Sequence, residues 1–165
     1  RNVGQVPIYY NYKNTGRPST SYKQVTTSAY SDVENSPLYP FGYGLSYTNF
    51  NYSELKLSSE KMNNKESIIA SITLTNSGKY KGKEVTQLYI RDLHGSLSRP
   101  LKELKGFEMV ELEPGESKIV NFTIDNSLLK YYTVNKKWES ESGDFYVYIG
   151  GDSDVDSFKK FELIN

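Results

Sequence analysis

One histidine, three evenly spaced aspartates and a small group of glutamates are the side chains here with chemistry to offer. His94 is the only histidine and sits between Leu93 and Gly95. Any serine nucleophile would need it as base, and acid–base work needs a partner within hydrogen-bond reach. A single loop imidazole reads instead as a solvated side chain. Asp152, Asp154 and Asp156 have the D-x-D-x-D spacing of a calcium loop. An EF-hand would next require glycine and, at its twelfth position, a bidentate glutamate. Ser157 and Leu163 stand at those positions, so a polar connection between strands is expected. Glu139, Glu141 and Asp144 read as a charged turn ahead of a strand. Gly42-Tyr43-Gly44 lacks the third glycine and the following helix of a phosphate-binding fingerprint. The sequons at Asn51 and Asn121 are expected to be chance matches. No residue is assigned a catalytic, cofactor-binding or metal-binding role.

Composition narrows the partners. Lysine plus arginine balance aspartate plus glutamate at 20 each over 165 residues. A nucleic-acid or membrane-surface partner would select a basic excess, so neither is expected. No apolar run approaches the ~20 residues needed to span a bilayer as a helix. The absence of cysteine removes disulfides and thiolate metal sites without fixing a compartment. The sequence opens on Arg1 with no leader-like segment, and is expected to be a piece of something longer, so this says nothing about export.

The elements that would have to position any site fall into two parts. Nine of the fifteen tyrosines lie in the first 52 residues, where regular periodicity is absent. Residues 1–49 read as a linker and strap. They hold one extended run (Gln5 to Tyr12), a loop over Asn14 to Pro18, and a Ser/Thr-rich passage through Ser31. The strap from Pro37 to Phe50, PLYPFGYGLSYTNF, has no charged residue. Pro40, Gly42 and Gly44 exclude a regular helix or a central strand, while its apolar bulk still demands burial. Tyr39, Phe41, Tyr43, Leu45 and Tyr47 are expected to dock on a neighbouring folded body. Tyr43 and Trp138 could alternatively stack on sugar rings, although packing is the favoured reading for all these aromatics. In the isolated chain the strap's aromatics are expected to be partly exposed.

From residue 50 to 165 the period becomes two. Phe50, Tyr52, Leu55 and Leu57 alternate with a register slip near Ser53, predicting a bulge. Ile68, Ala70, Ile72 and Leu74 alternate up to a turn at Asn76-Ser77-Gly78. Val85 to Asp92 places Leu88 and Ile90 on one face and Tyr89 on the other. Leu104 to Leu112 and Ser117 to Ile124, joined through Pro114-Gly115, predict a hairpin with Val120, Phe122 and Ile124 inward. Asp125 caps a single helical turn that tucks in Leu128, with Leu129 as a second candidate. Tyr131 to Trp138 is a short strand or hairpin. Phe145, Val147 and Ile149 mark a further strand, and Phe158 to Ile164 an edge strand protected by lysines. About seven short strands with regular turns predict an all-β, fibronectin type III or immunoglobulin-like sandwich carrying an irregular N-terminal extension.

PLYPFGYGLSYTNF, TLTNSGKYKGKEVTQLYIRD, SRPLKELKGFEMVELEPGESKIVNFTI and ESGDFYVYIGG occur in this order. Together they resemble the C-terminal part of family 3 glycoside hydrolases, the β-glucosidase group, along essentially the whole chain. The resemblance implies a fibronectin type III-like accessory domain without a catalytic role of its own. It would follow a barrel domain and an α/β sandwich domain of the same polypeptide, and GQVPIYYNYKNTGRP resembles the chain leaving the latter. Tyr12 departs from the histidine expected there. The resemblance further implies a parent that hydrolyses β-glycosides with retention, in the periplasm or secreted. The parent's aspartate nucleophile and glutamate acid/base would lie upstream, so the fragment should be inactive alone and meet glucosides only through the parent's site. Two other classes stay open: a carbohydrate-binding module and a protein-interaction module. No cofactor is implied.

Overall fold

The computed structural model describes residues 1–13, 30 and 32–164. The loop expected over Asn14 to Pro18, and the Ser/Thr-rich passage apart from Tyr30, lie outside the described residues. Eleven strands and one helical turn follow the strap. They are β1 (Phe50–Tyr52), β2 (Lys56–Leu57), β3 (Lys61–Asn63), β4 (Ser67–Asn76), β5 (Gly82–Asp92) and β6 (Glu103–Leu112). After them come β7 (Ser117–Asp125), α1 (Asn126–Leu129), β8 (Tyr131–Tyr132), β9 (Trp138–Glu139), β10 (Gly143–Gly150) and β11 (Phe158–Ile164). The strands exceed the seven expected because the first is broken into β1 and β2, β3 carries no periodic signal, and Tyr131 to Trp138, read as a short strand or hairpin, forms a separate β8–β9 ladder.

Two sheets enclose the core. In one, β4 pairs with β7 on one side and with β1 and β2 on the other; the second runs β3-β11-β10-β5-β6. The alternation read from the sequence selects the inward residues. Ile68, Ala70, Ile72 and Leu74 of β4 meet Leu88 and Ile90 of β5, with Val120 and Ile124 of β7 and Phe145 and Val147 of β10. Each buried large apolar side chain is worth about 1.5–3 kcal/mol relative to exposure, so this interior alone supplies a substantial drive to fold. The predicted bulge is present. Tyr52 lies opposite Leu74 while Lys56 lies opposite Ser71, one residue out of step. Between them Ser53 donates its amide to Thr73 O, and its hydroxyl accepts from the Thr73 amide, replacing the missing ladder bond.

Three expectations need correction. The strands flanking Pro114-Gly115 do not form a hairpin: β6 pairs with β5 and β7 with β4, so the turn arches between the two sheets. Turn chemistry at Gly115 (φ +79°) reverses the chain, but the burial of Val110, Leu112 and Val120 between the sheets decides the pairing. β11 is not an edge, because β3 adds in parallel beyond it and buries Met62. Its lysines serve as ion partners instead, Lys159 to Glu54 and Lys160 to Asp144. In α1, capped by Asp125 as expected, Leu129 is the fully buried leucine and Leu128 only partly so.

Asn76, at the end of β4, ties the corner together and is wholly buried. Its amide nitrogen donates to Tyr80 O and Leu112 O, at 2.8 and 3.0 Å. Its side-chain oxygen accepts from the Thr48 hydroxyl and the Gly78 amide. Its backbone bonds Glu116 O and the Gly115 amide. Asn76→Ala would strand several buried polar groups at once, each costing about 1–3 kcal/mol. Chemical denaturation should therefore show a loss of about 3–5 kcal/mol, whereas Ser77→Ala next door should stay within about 0.5 kcal/mol.

Candidate functional site

The strap is fastened to its own sandwich at two places. Pro40 to Tyr43 make a β-turn closed by the Tyr43 amide on Pro40 O, with Gly42 at φ +85° in the position that demands a left-handed residue. The Ser153 amide donates to Phe41 O, and Gln87 Nε2 donates to Gly42 O and Gly151 O. Tyr89 Oη donates in turn to Gln87 Oε1 at 2.6 Å. The second fastening is Thr48, buried against Asn76 and close over Gly78 and Gly82.

The first fastening lies on the outer face of the five-stranded sheet. Tyr89 and Tyr148 sit opposite one another on β5 and β10, away from the core, yet both are buried. Tyr10 stacks on Phe41 at 4.1 Å and meets Tyr89 edge-on, so the extension and the strap together roof that tyrosine. Burial pushes the Tyr89 phenol well above its ordinary value, with Asp152 adding in the same direction. Over Tyr148 lies Lys102, its ammonium 4.6 Å from the ring centre and donating to Ser153 O and Val155 O. Burial pulls that ammonium's pKa down, while Asp156, Asp154 and Asp152 push it back up. The D-x-D-x-D loop thus wraps a lysine; among the described residues no group of His, Cys, Asp or Glu could hold a metal ion.

The other docking candidates face away. Tyr39 and Tyr43 lean together at 5.1 Å with both rings exposed, and Phe41 is partly covered by Tyr10. Leu45 and Tyr47, between the two fastenings, are 89 % and 97 % exposed. Tyr12 contributes its backbone oxygen to the Leu101 amide, and Lys13 bridges Pro100.

Trp138 occupies a separate place. It opens β9, paired with β8 so that Tyr132 lies opposite and edge-on, ring centres 6.1 Å apart. The hairpin is braced from within: Thr133 and Asn135 donate to Glu139, holding that carboxyl below its usual range. Beneath it, Arg99 lies over the Tyr131 ring at 4.1 Å and donates to Glu103 at 2.6 Å. Tyr131 Oη and the Ser96 amide both donate to Glu141, whose pKa the Ser96 and Tyr131 hydroxyls, in that order, hold below its usual range. Burial pushes Asp92 upward, opposed by the His94 amide and Arg99. His94 itself is exposed, and Asp144 is committed to Lys160. Nothing joins Trp138 to Tyr43, the two proposed stacking residues. Sequence reasoning missed Tyr10, Gln87, Lys102 and Tyr132; a lone glutamine amid the apolar Val85–Ile90 run was the available hint.

Comparison with known proteins agrees with this geometry. Residues 84–153 match the family model for a fibronectin type III-like domain. The chain is 48 % identical over 165 residues to a periplasmic β-glucosidase of Salmonella typhimurium, covering 99 % of this chain and 22 % of that protein. A putative β-xylosidase of Formosa agariphila is 46 % identical over 153 residues, covering 93 % and 19 %. Among solved structures, the β-glucosidase of Listeria innocua in complex with gluconolactone superposes with a TM-score of 0.90. It is 39 % identical, over 98 % of this chain and 23 % of that one. The chain spans about a fifth of the length of these relatives.

The Gly42 turn yields a direct test. A Cβ there would lie 2.1 Å from Gln87 Oε1 and force an L-residue into the left-handed region. Gly42→Ala should release the strap locally. Amide exchange at Tyr43 and Ser153 should accelerate by about tenfold or more, the equivalent of 1.4 kcal/mol, with Ile72 in β4 unchanged.

Proposed function

The chain belongs to the C-terminal fibronectin type III-like domains of family 3 glycoside hydrolases, the β-glucosidase group, and from that premise we propose that it is a non-catalytic brace for the domains of its parent enzyme. The observation that carries this is the strap. It is bolted to the sandwich at Gly42 and Thr48, yet presents Leu45 and Tyr47 almost fully to solvent between those points. A rigid apolar band costs little ordering entropy on association, so burying it yields net binding. Tyr39, Phe41 and Tyr43 continue the same surface. Its partner in this reading is the remainder of the polypeptide, a barrel and an α/β sandwich. These would carry the aspartate nucleophile and the glutamate acid/base of a retaining β-glucosidase, some 5–5.5 Å apart. The periplasmic relative supports an exported parent.

The test compares two backgrounds. In the full-length parent, Leu45→Ala and Tyr47→Ala should each remove about 1.5–3 kcal/mol of buried apolar contact. The melting temperature of the catalytic part should fall by several degrees, and hydrolysis of a nitrophenyl β-glucoside should become more heat-labile. In the 165-residue chain alone the same substitutions should shift stability by no more than about 0.5 kcal/mol. An unchanged parent would overturn the bracing role.

A further inference from the structure

Beside Trp138 the surface dips into a hollow of about 360 Å³, at the small end of the 300–1,000 Å³ typical of ligand sites. Two of its walls are aromatic: Trp138, 70 % exposed, and Tyr132, set edge-on to it. That pair, its ring planes 62° apart, offers a flat indole face for a pyranose ring, whose axial C–H groups pack on it. The ring faces are held still by the hairpin bonds of Thr133 and Asn135 to Glu139, so stacking would require no reordering of the backbone.

The remaining wall is basic, in a chain whose charges otherwise balance. Four cationic side chains line the hollow against one carboxylate, Glu103. Arg99 and Lys105 both spend their charge on that glutamate, at 2.6 and 3.6 Å. Lys13 and Lys130 form no ion pair among the described residues, Asp125 feeling Lys130 only through space, and Lys136 and Lys137 stand at the hairpin tip outside the lining. The buried Nε of Arg99 also lacks an acceptor, Asp92 Oδ2 standing at 3.6 Å. An aromatic platform rimmed by ammonium groups that form no ion pair suits a sugar that carries a negative charge better than a neutral one.

We propose that the hollow between the β8–β9 hairpin and the Leu97–Pro100 loop binds a glycan residue bearing a carboxylate, a hexuronic acid stacked on Trp138 with its acid group toward Lys130 and Lys13. This site is independent of the strap and of the bracing role, since it shares no residue with either fastening.

Trp138 is the only tryptophan, so intrinsic fluorescence of the 165-residue chain reports on this site alone. Titration with a glucuronic-acid-bearing xylo-oligosaccharide should quench it saturably in the millimolar range, and raising NaCl from 0.05 to 1 M should weaken binding several-fold. Cellobiose and unsubstituted xylobiose should bind at least fivefold more weakly. By calorimetry, Lys130→Gln should weaken the acidic sugar at least threefold, Trp138→Ala should abolish binding, and Trp138→Phe should retain part of it. Trp138 and Lys130 are exposed, so unchanged melting curves should confirm that the variants fold. Absence of any saturable quench, or equal affinity for neutral and acidic sugars, would overturn the proposal. The Leu45 and Tyr47 variants should leave the titration unaltered.

Discussion

Asn76 is where three otherwise separate segments are made into one body. A carboxamide has two donors and two acceptor sites, and here all four are used, on the strap, the β4–β5 turn and the β6–β7 arch. No apolar residue could replace it, because each of those segments brings a backbone group that would otherwise be buried unpaired. No charged residue could either, since aspartate would set oxygen against two carbonyl oxygens. The hydrophobic interior supplies most of the energy, but this polar knot fixes which corner of the sandwich the strap meets.

A second constraint acts on the opposite face of the five-stranded sheet. Sheets of sandwiches commonly show water a polar outer surface. Here β5 and β10 turn Tyr89 and Tyr148 outward, and the chain covers them with its own extension and with the stem of Lys102. Gln87 shows how tightly that cover is fitted. One buried amide receives Tyr89 and holds the strap turn and the β10–β11 loop. The strap is consequently part of the folded unit and no loose tether, which is what lets its exposed residues act as a surface of fixed shape.

Much of the fold was legible because burial imposes a period of two. The inward set of β4, the split of Leu88 and Ile90 from Tyr89, and the slip at Ser53 follow from that period alone. Pairing partners were less legible. Pro114-Gly115 says that the chain reverses but not which sheet receives the return strand, a choice made by contacts with β4 and β5 far away in sequence. The parallel β3 ladder, three residues long, has only Met62 as a buried marker. The same limit applies to the sites. Trp138 could be singled out as a lone tryptophan after two lysines, whereas Lys13 and Arg99 reach its surroundings only through folding. Asn76 looks ordinary until its neighbours are known, and Gln87 stands out only as a lone glutamine in an apolar run.

The knot at Asn76 also has a consequence in time. A ribosome releases Thr48 long before it has made Leu112, Gly115 and Glu116, the other groups that Asn76 gathers. At about 5–20 residues per second that delay is several seconds. Throughout it, the aromatic band leaves the exit tunnel with no seat of its own. On the bracing proposal, domains synthesised earlier would be the first surface it meets, and vectorial translation would favour its engagement with them before its own sandwich closes behind it.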